Sequence, residues 1–149
     1  MTSIPKIEYV SAESLYLDTQ NPRLGREMRK TNPSQEKLLD WLKSWSLDEI
    51  AESFLVSGFW PQEPLIVVKE KIGKNYQHVV VEGNRRLATL KWMRRAIDGD
   101  ENAPSRLKKA VRAENIPDAL FQEVPCIVVP NRGAVSAYRV SWLPARNRH

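Results

Sequence analysis

Apolar and polar positions follow two different rhythms along this chain, and each predicts an element. "LIVVKE" and "YQHVVVE" are short β-branched runs joined by "KIGKN", with Gly73 and Asn75 as turn residues; runs of this kind bounded by turn formers predict a hairpin. In "NRRLATLKWMRRAI", Leu87, Leu90, Met93 and Ile97 recur every three or four residues, which predicts a helix with one apolar side. Leu38, Leu39, Trp41, Leu42 and Trp45 keep the same spacing, in a helix predicted to start near Pro33 or Ser34. Ser46 followed by Glu49 has the form of a capping box, with Ile50, Phe54 and Leu55 as the buried stripe and Gly58 as the stop. "SRLKKAVRAE" predicts a shorter basic helix, and "VPCIVVP" a last strand ended by Pro130. Upstream, "IEYVSAESLYL" is an edge strand or an entry segment, and "DTQNPRLG" is a loop.

The order of helices, strand pair, two helices and strand predicts an α+β domain with a small mixed sheet, rather than a doubly wound one. A length of 149 residues fits one domain, with its core at about 7–130. Residues 131–149 read as an irregular or truncated tail, with the natural domain expected either to fray here or to continue beyond His149.

Charge changes the picture only once it is located. The net +5 is not spread evenly: residues 1–81 hold ten basic and eleven acidic side chains, residues 82–112 nine and four, and residues 113–149 four and three. The excess therefore lies at and after residue 82, where a positive field attracts phosphates of a nucleotide or of a nucleic-acid backbone. No apolar run approaches the ~20 residues a membrane helix needs, and no basic start leads into an apolar block as in a signal peptide. With one cysteine, Cys126, no internal disulfide can form, so a reducing, cytoplasmic setting is expected.

The candidate chemistry sits in "VVVEGNRRLATLKWM", where a strand ends in Glu82-Gly83 and a helix opens on Asn84-Arg85-Arg86. The first N–H groups of a helix and its dipole attract anions, and glycine lets an anion approach the backbone. Two guanidinium groups add fork-shaped donors that match phosphate oxygens. As a stability device alone the arrangement is poor, because cations at a helix N-terminus oppose the dipole by roughly 0.3–1 kcal/mol each. The structural alternative is that Arg85 or Arg86 pairs with Glu82 or with an acid of the helix after Ser46. A P-loop and a Gly-x-Gly-x-x-Gly fingerprint are both missing.

"LDTQNPRL", "ESFLVSGFWPQEPLIVV", "YQHVVVEGNRRLATLKWM" and "VPCIVV" follow one another in the order and rough spacing of the ParB N-terminal domain. The chain thus resembles the ParB/sulfiredoxin superfamily over about residues 15–130. The resemblance implies an α+β nucleotide-binding fold with CTP or another NTP as ligand, accompanied by Mg2+. It implies that Gly83, Asn84, Arg85 and Arg86 form the triphosphate-binding turn. Asn21, Pro22 and Arg23 resemble the upstream loop near the nucleotide, and the segment from Gly58 to Pro64 is similar to the loop lining the base, with Trp60 as the residue closest to a ligand. Glu82 is the metal candidate, through the nucleotide phosphates. Partition members carry Glu-Arg-Arg after the glycine where this chain has Asn84, and nothing after Val129 matches their hydrolysis or DNA-reading elements.

Lys91, Arg94, Arg95, Lys108, Lys109 and Arg112 are candidates for a DNA-facing strip, against the alternative of a solvated basic surface. Trp41, Trp45 and Trp92 occupy apolar helical positions and are expected in the core. His78 is a strand residue rather than a ligand, and His149 is too isolated to interpret. Cys126, inside an apolar strand, is expected to be a buried, inert thiol, which argues against sulfiredoxin-type reductase chemistry. Three functions stay open: a CTP-type nucleotide-binding module of a DNA-associated protein, a ParB-like nuclease or nucleotide hydrolase, and a DNA-contacting accessory domain without nucleotide. The partners expected are nucleotide and DNA, with no membrane, in a homodimer or a larger DNA-directed assembly.

Overall fold

A computed structural model describes residues 6–113 and 115–136. The expectations for residues 137–149, with Trp142 and His149, lie outside the described residues. Five strands form one mixed sheet: β1 (Glu8–Val10), β2 (Leu15–Leu17), β3 (Leu65–Ile72), β4 (Asn75–Glu82) and β5 (Val124–Val129), in the spatial order β1-β5-β3-β4-β2. β3 and β4 are an antiparallel hairpin, β5 runs parallel to β3, β2 parallel to β4, and β1 antiparallel to β5. The hairpin turn is tighter than the sequence predicts. Asn75 already pairs with Ile72, and Gly73 supplies the positive φ of +66°.

The segment expected to be one edge strand or an entry segment is instead two strands at opposite edges. Five peptide steps from Val10 to Leu15 reach at most ~18 Å, and the 3-10 turn Ala12–Ser14 shortens that span. A flat sheet would hold its outer strands ~19 Å apart, four spacings of about 4.8 Å. The sheet therefore curls, bringing β1 and β2 toward each other. Pairing this remote in sequence leaves no trace in a local pattern.

Side chains of residues 65–68 in β3 and of β5 are buried on both faces, which is why these stretches are unbroken apolar runs rather than alternating ones; the second half of β3 is charged and largely exposed. On one face Leu15, Leu17, Leu65, Val67, Val80 and Cys126 join the main core; on the other, Ile66, Val68, Val79, Ile127 and Val129 form a smaller one. Helices cover the first face: α1 (Arg26–Lys30), α2 (Gln35–Leu42), α3 (Asp48–Ser57), α4 (Asn84–Ile97), α5 (Ser105–Ala113) and α6 (Ala119–Gln122) make up the helical set. Leu38 and Leu42 of α2, Ala51 and Phe54 of α3, Leu87, Leu90 and Met93 of α4 and Leu107 of α5 enter this core. Ile97, expected on the same side of α4, is 41% exposed. Trp92 is buried and donates its indole N–H to the Leu39 carbonyl at 2.8 Å, while Trp41 and Trp45 pack against the core edge.

One local expectation changes. α2 starts beside Ser34 as predicted, with the Ser34 hydroxyl accepting from the Lys37 N–H, but Ser46 does not cap α3. That helix starts at Asp48 behind Leu47, and Ser46 adopts a left-handed backbone with φ +53°. The short helices α1 and α6 escape the periodicity argument because each spans barely more than one turn.

The β2 edge is closed by a side chain. Gln35 accepts from the Leu17 N–H at 2.8 Å and donates to the Leu17 carbonyl at 2.9 Å, standing in for a neighbouring strand. At the other side of the molecule Cys126 is fully buried, and desolvation pushes its thiol up to about 12. The native chain is accordingly expected to resist a thiol-specific disulfide reagent near neutral pH and to react stoichiometrically once denatured. Rapid labelling of native protein would contradict the packing of β5. No helix among the described residues is long and apolar enough to cross a membrane.

Candidate functional site

β4 changes course just before the glycine turn. Ile66 pairs with Glu82 and Val67 with Val80, leaving Val81 as an extra residue, a bulge that re-aims the end of the strand. Gly83 follows at φ +103°, a backbone open to glycine and strained for other residues. A Cβ here would also overlap Leu65 Cδ2, which is fully buried, and crowd the Arg86 guanidinium. Gly83 is thus required twice over: it supplies the positive φ that turns β4 into α4, and it lets the turn sit directly on β3.

Around this turn lies a cleft of about 460 Å3, within the roughly 300–1,000 Å3 range of small-ligand sites. Gly83, Asn84, Arg85, Arg86, Asn21, Arg23 and Trp60 all line it, as does Glu82. The structure therefore brings the predicted triphosphate turn together with Asn21 and Arg23 of the upstream loop, Trp60 of the base-lining loop and the metal candidate; Pro22 stays outside the lining. Sequence reasoning missed Trp45, Glu49, Ile50, Ser53 and Phe54, which also line the cleft, along with Leu42 and Val81. The adjacent aromatics and prolines of "GFWPQEP" were the signal for Phe59, which stacks on Phe54 with ring centroids 5.2 Å apart.

The side chains of the turn are already employed. Asn84 points inward, 6% exposed: its carbonyl oxygen accepts from the Asp18 N–H at 2.9 Å and its amide donates to the Val80 carbonyl at 2.8 Å. Any contact from Asn84 to a ligand would have to come from its backbone N–H. Arg85 donates through Nε and Nη2 to the carbonyls of Trp45 and Ser46, both at 2.8 Å. Arg86 donates to the Glu63 carbonyl and lies over the Phe59 ring at 5.2 Å. The two guanidinium groups therefore pin the start and the end of the α3 wall to α4. Three backbone carbonyls thus receive the two guanidinium groups, which helps to accommodate two cations at this helix start. The left-handed turn at Ser46 makes the arrangement possible by presenting two successive carbonyls to Arg85.

Arg23 is different. Its backbone N–H is held by the Asn21 side chain at 3.1 Å in the 3-10 turn Pro22–Leu24, and its guanidinium is exposed with no carboxylate partner among the described residues. Trp60 is 54% exposed beside it in the lining. Three arginines of the cleft are matched by Glu49, Glu63 and Glu82, so its formal charge is balanced. Among the described residues no group of three or more His, Cys, Asp or Glu is arranged to hold a metal ion.

Behind the turn, Asp18 is 3% exposed and takes a forked pair of bonds from Arg132, at 2.7 and 3.0 Å, while Arg132 also reaches Glu70 at 2.7 and 2.8 Å. Glu70 first, then Asp18, keep this guanidinium firmly protonated, and Arg132 in turn holds the Glu70 carboxyl below its ordinary value. Residues Arg132–Ala134, expected to be irregular tail, form a 3-10 turn anchored by these pairs.

The basic strip divides. Lys91 is half-buried and donates to the Ala12 carbonyl at 3.0 Å. Arg94 pairs with Asp98 and Asp118, and Arg95 with Glu36 and Asp100. Lys91 is thus turned onto the backbone, while Arg94 and Arg95 are offset in part by carboxylates at the end of α4 and from other segments. On α5, Lys109 and Arg112 are exposed and Lys108 partly so. His78 lies on β4, paired with Leu15 and Lys69, as a strand residue. No protein-family model and no curated protein matches the chain.

Proposed function

We propose that the chain is a ParB-like nucleotide-binding module of a DNA-associated protein, with its curled sheet and helices in a ParB/sulfiredoxin-like arrangement and a CTP-type nucleotide in the cleft. One observation carries the reading: a single cleft holds the N-terminus of a 14-residue helix, an Arg23 with no carboxylate partner among the described residues, and an exposed Trp60. The first-turn N–H groups of α4 suit phosphate oxygens, and Arg23 adds the charge-assisted donor from the facing loop. Trp60 offers a face on which a base can stack. Glu82 supplies carboxylate oxygen of the kind Mg2+ takes alongside phosphates. Arg85 and Arg86 act first as braces that hold the cleft open at both ends of α3. A second reading, contact with nucleic acid through the exposed Lys109 and Arg112 of α5, is compatible with the first and fits the same DNA-directed role.

The test is calorimetric titration with CTP, ATP and GTP in the presence of magnesium. Arg23→Ala is expected to weaken nucleotide binding by about tenfold, the loss of one charge-assisted hydrogen bond, with the unfolding midpoint unchanged. Arg85→Ala is expected to lower both affinity and stability, since it frees two carbonyls. Release of inorganic phosphate would assign hydrolase chemistry instead. A wild-type chain that is silent toward all three nucleotides but binds duplex DNA with steep salt dependence would leave only the accessory role.

A further inference from the structure

About two helical turns beyond Asn84 along α4, and away from the nucleotide cleft, Lys91 stands where two smaller clefts of about 210 and 280 Å3 adjoin; Glu13, Lys91 and Arg95 line both. Lysine ammonium groups normally reach into water, but this one is folded onto the protein, its Nζ donating to the Ala12 carbonyl. The hydrogen bond uses an N–H and not the nitrogen lone pair. The charged groups around it are Glu13 from the turn after β1, Glu36 from α2, Arg94 and Arg95 from α4 itself, and Asp98 at the end of α4; α6 contributes only Phe121 and Gln122. Burial, with the Arg95 guanidinium adding to it, moves the Lys91 amine below its ordinary value against the opposing pull of Glu13 and Glu36. Desolvation beside another cation is the setting that turns a lysine into a nucleophile.

We propose that Lys91 is a modification site: a reactive amine in a cation-flanked cleft that is acylated selectively by small acyl phosphates. In the step, the Nζ lone pair attacks the acyl carbon and a C–N bond forms. The bond from that carbon to the phosphate oxygen breaks, phosphate leaves with the electron pair, and the extra proton on nitrogen passes to water. Arg94, which lines the larger cleft and stays 40% exposed while pairing with Asp98 and Asp118, is the guanidinium that meets the phosphate end of the donor. Acylation removes the positive charge from the Ala12 contact and from the field of Glu13 and Glu36.

The full chain is treated with acetyl phosphate, and with the uncharged donor N-acetoxysuccinimide, and acetylation at each lysine is followed by mass spectrometry after cleavage with a protease that does not cut at lysine. With acetyl phosphate near neutral pH, Lys91 is expected to react at least about threefold faster than the exposed hairpin lysines Lys71 and Lys74. The advantage narrows toward about pH 10, where lysines in general lose their protons. Arg94→Gln is expected to reduce the rate at Lys91 with acetyl phosphate while leaving the rate with N-acetoxysuccinimide unchanged. A Lys91 rate equal to or below those of Lys71 and Lys74 near neutral pH overturns the proposal, and an Arg94→Gln chain that reacts with acetyl phosphate as fast as the wild type removes the part assigned to the guanidinium.

Discussion

Gly83→Ala is expected to destabilise the fold by about 2–4 kcal/mol and to lower its unfolding midpoint by about 10 °C. Two effects add. The backbone stands at φ +103°, where an L side chain is strained, and the new Cβ overlaps the buried Leu65 Cδ2. Leu65 cannot swing aside cheaply, since it is fully enclosed by the main core. Gly99 separates the two contributions. It has a similar φ of +90° but nothing within 4 Å of an added Cβ, so Gly99→Ala should show the backbone strain alone, about 1 kcal/mol. Thermal and denaturant unfolding of both variants measure the difference. Equal effects would mean that the close seat of the turn on β3 has no energetic weight.

Arg132→Met should be the other severe change. It leaves the Asp18 carboxylate buried, with the Gln20 N–H at 2.9 Å but without its guanidinium partner. Removing one member of a buried pair typically costs about 3–5 kcal/mol, and the partial exposure of Arg132 places the expected loss nearer about 2–3 kcal/mol. Asp18→Asn combined with Arg132→Met should recover part of that loss, because the charge is gone while an acceptor for Gln20 remains. A double-mutant cycle reads the coupling, expected above about 1 kcal/mol; additive losses would show that the pair acts independently. Acid provides a second reading. Glu70 is held below the ordinary glutamate value of 4.5 in the folded chain, so its contribution is complete above that value and is lost as pH falls through the lower folded one. Arg132 stays charged throughout this window. The wild type should therefore lose stability below about pH 4.5 more steeply than Glu70→Gln.

Much of this architecture was readable from local pattern. β3, β4 and β5 are β-branched runs between turn formers, and α4 and α5 have strong periodicity with a glycine or a proline at their limits. The gathering of Arg23, Trp60 and Gly83 in one cleft was an expectation of the family resemblance, not of any local pattern. What could not be read depends on partners remote in the chain. Arg85 finds its acceptors about forty positions upstream, and that long reach holds Ser46 in a left-handed turn that defeats its capping pattern. Asn84 is consumed by Asp18, 66 positions away. Lys91 reads as a surface cation on a basic helix, and only the return of the chain at Ala12 encloses it. The separation of β1 from β2 is likewise a property of the closed sheet and not of either tripeptide.

The amide that seals Leu17 also governs how copies of this molecule could meet. With its donor and acceptor satisfied internally by Gln35, that flank offers no template for backbone pairing. Extension of the sheet from one molecule into the next would have to begin at Glu8–Val10, three residues long and carrying an exposed Tyr9. Among the described residues, growth of a ribbon from both flanks is thereby disfavoured, and pairing of two copies through the same tripeptide is the simplest extension the edges offer.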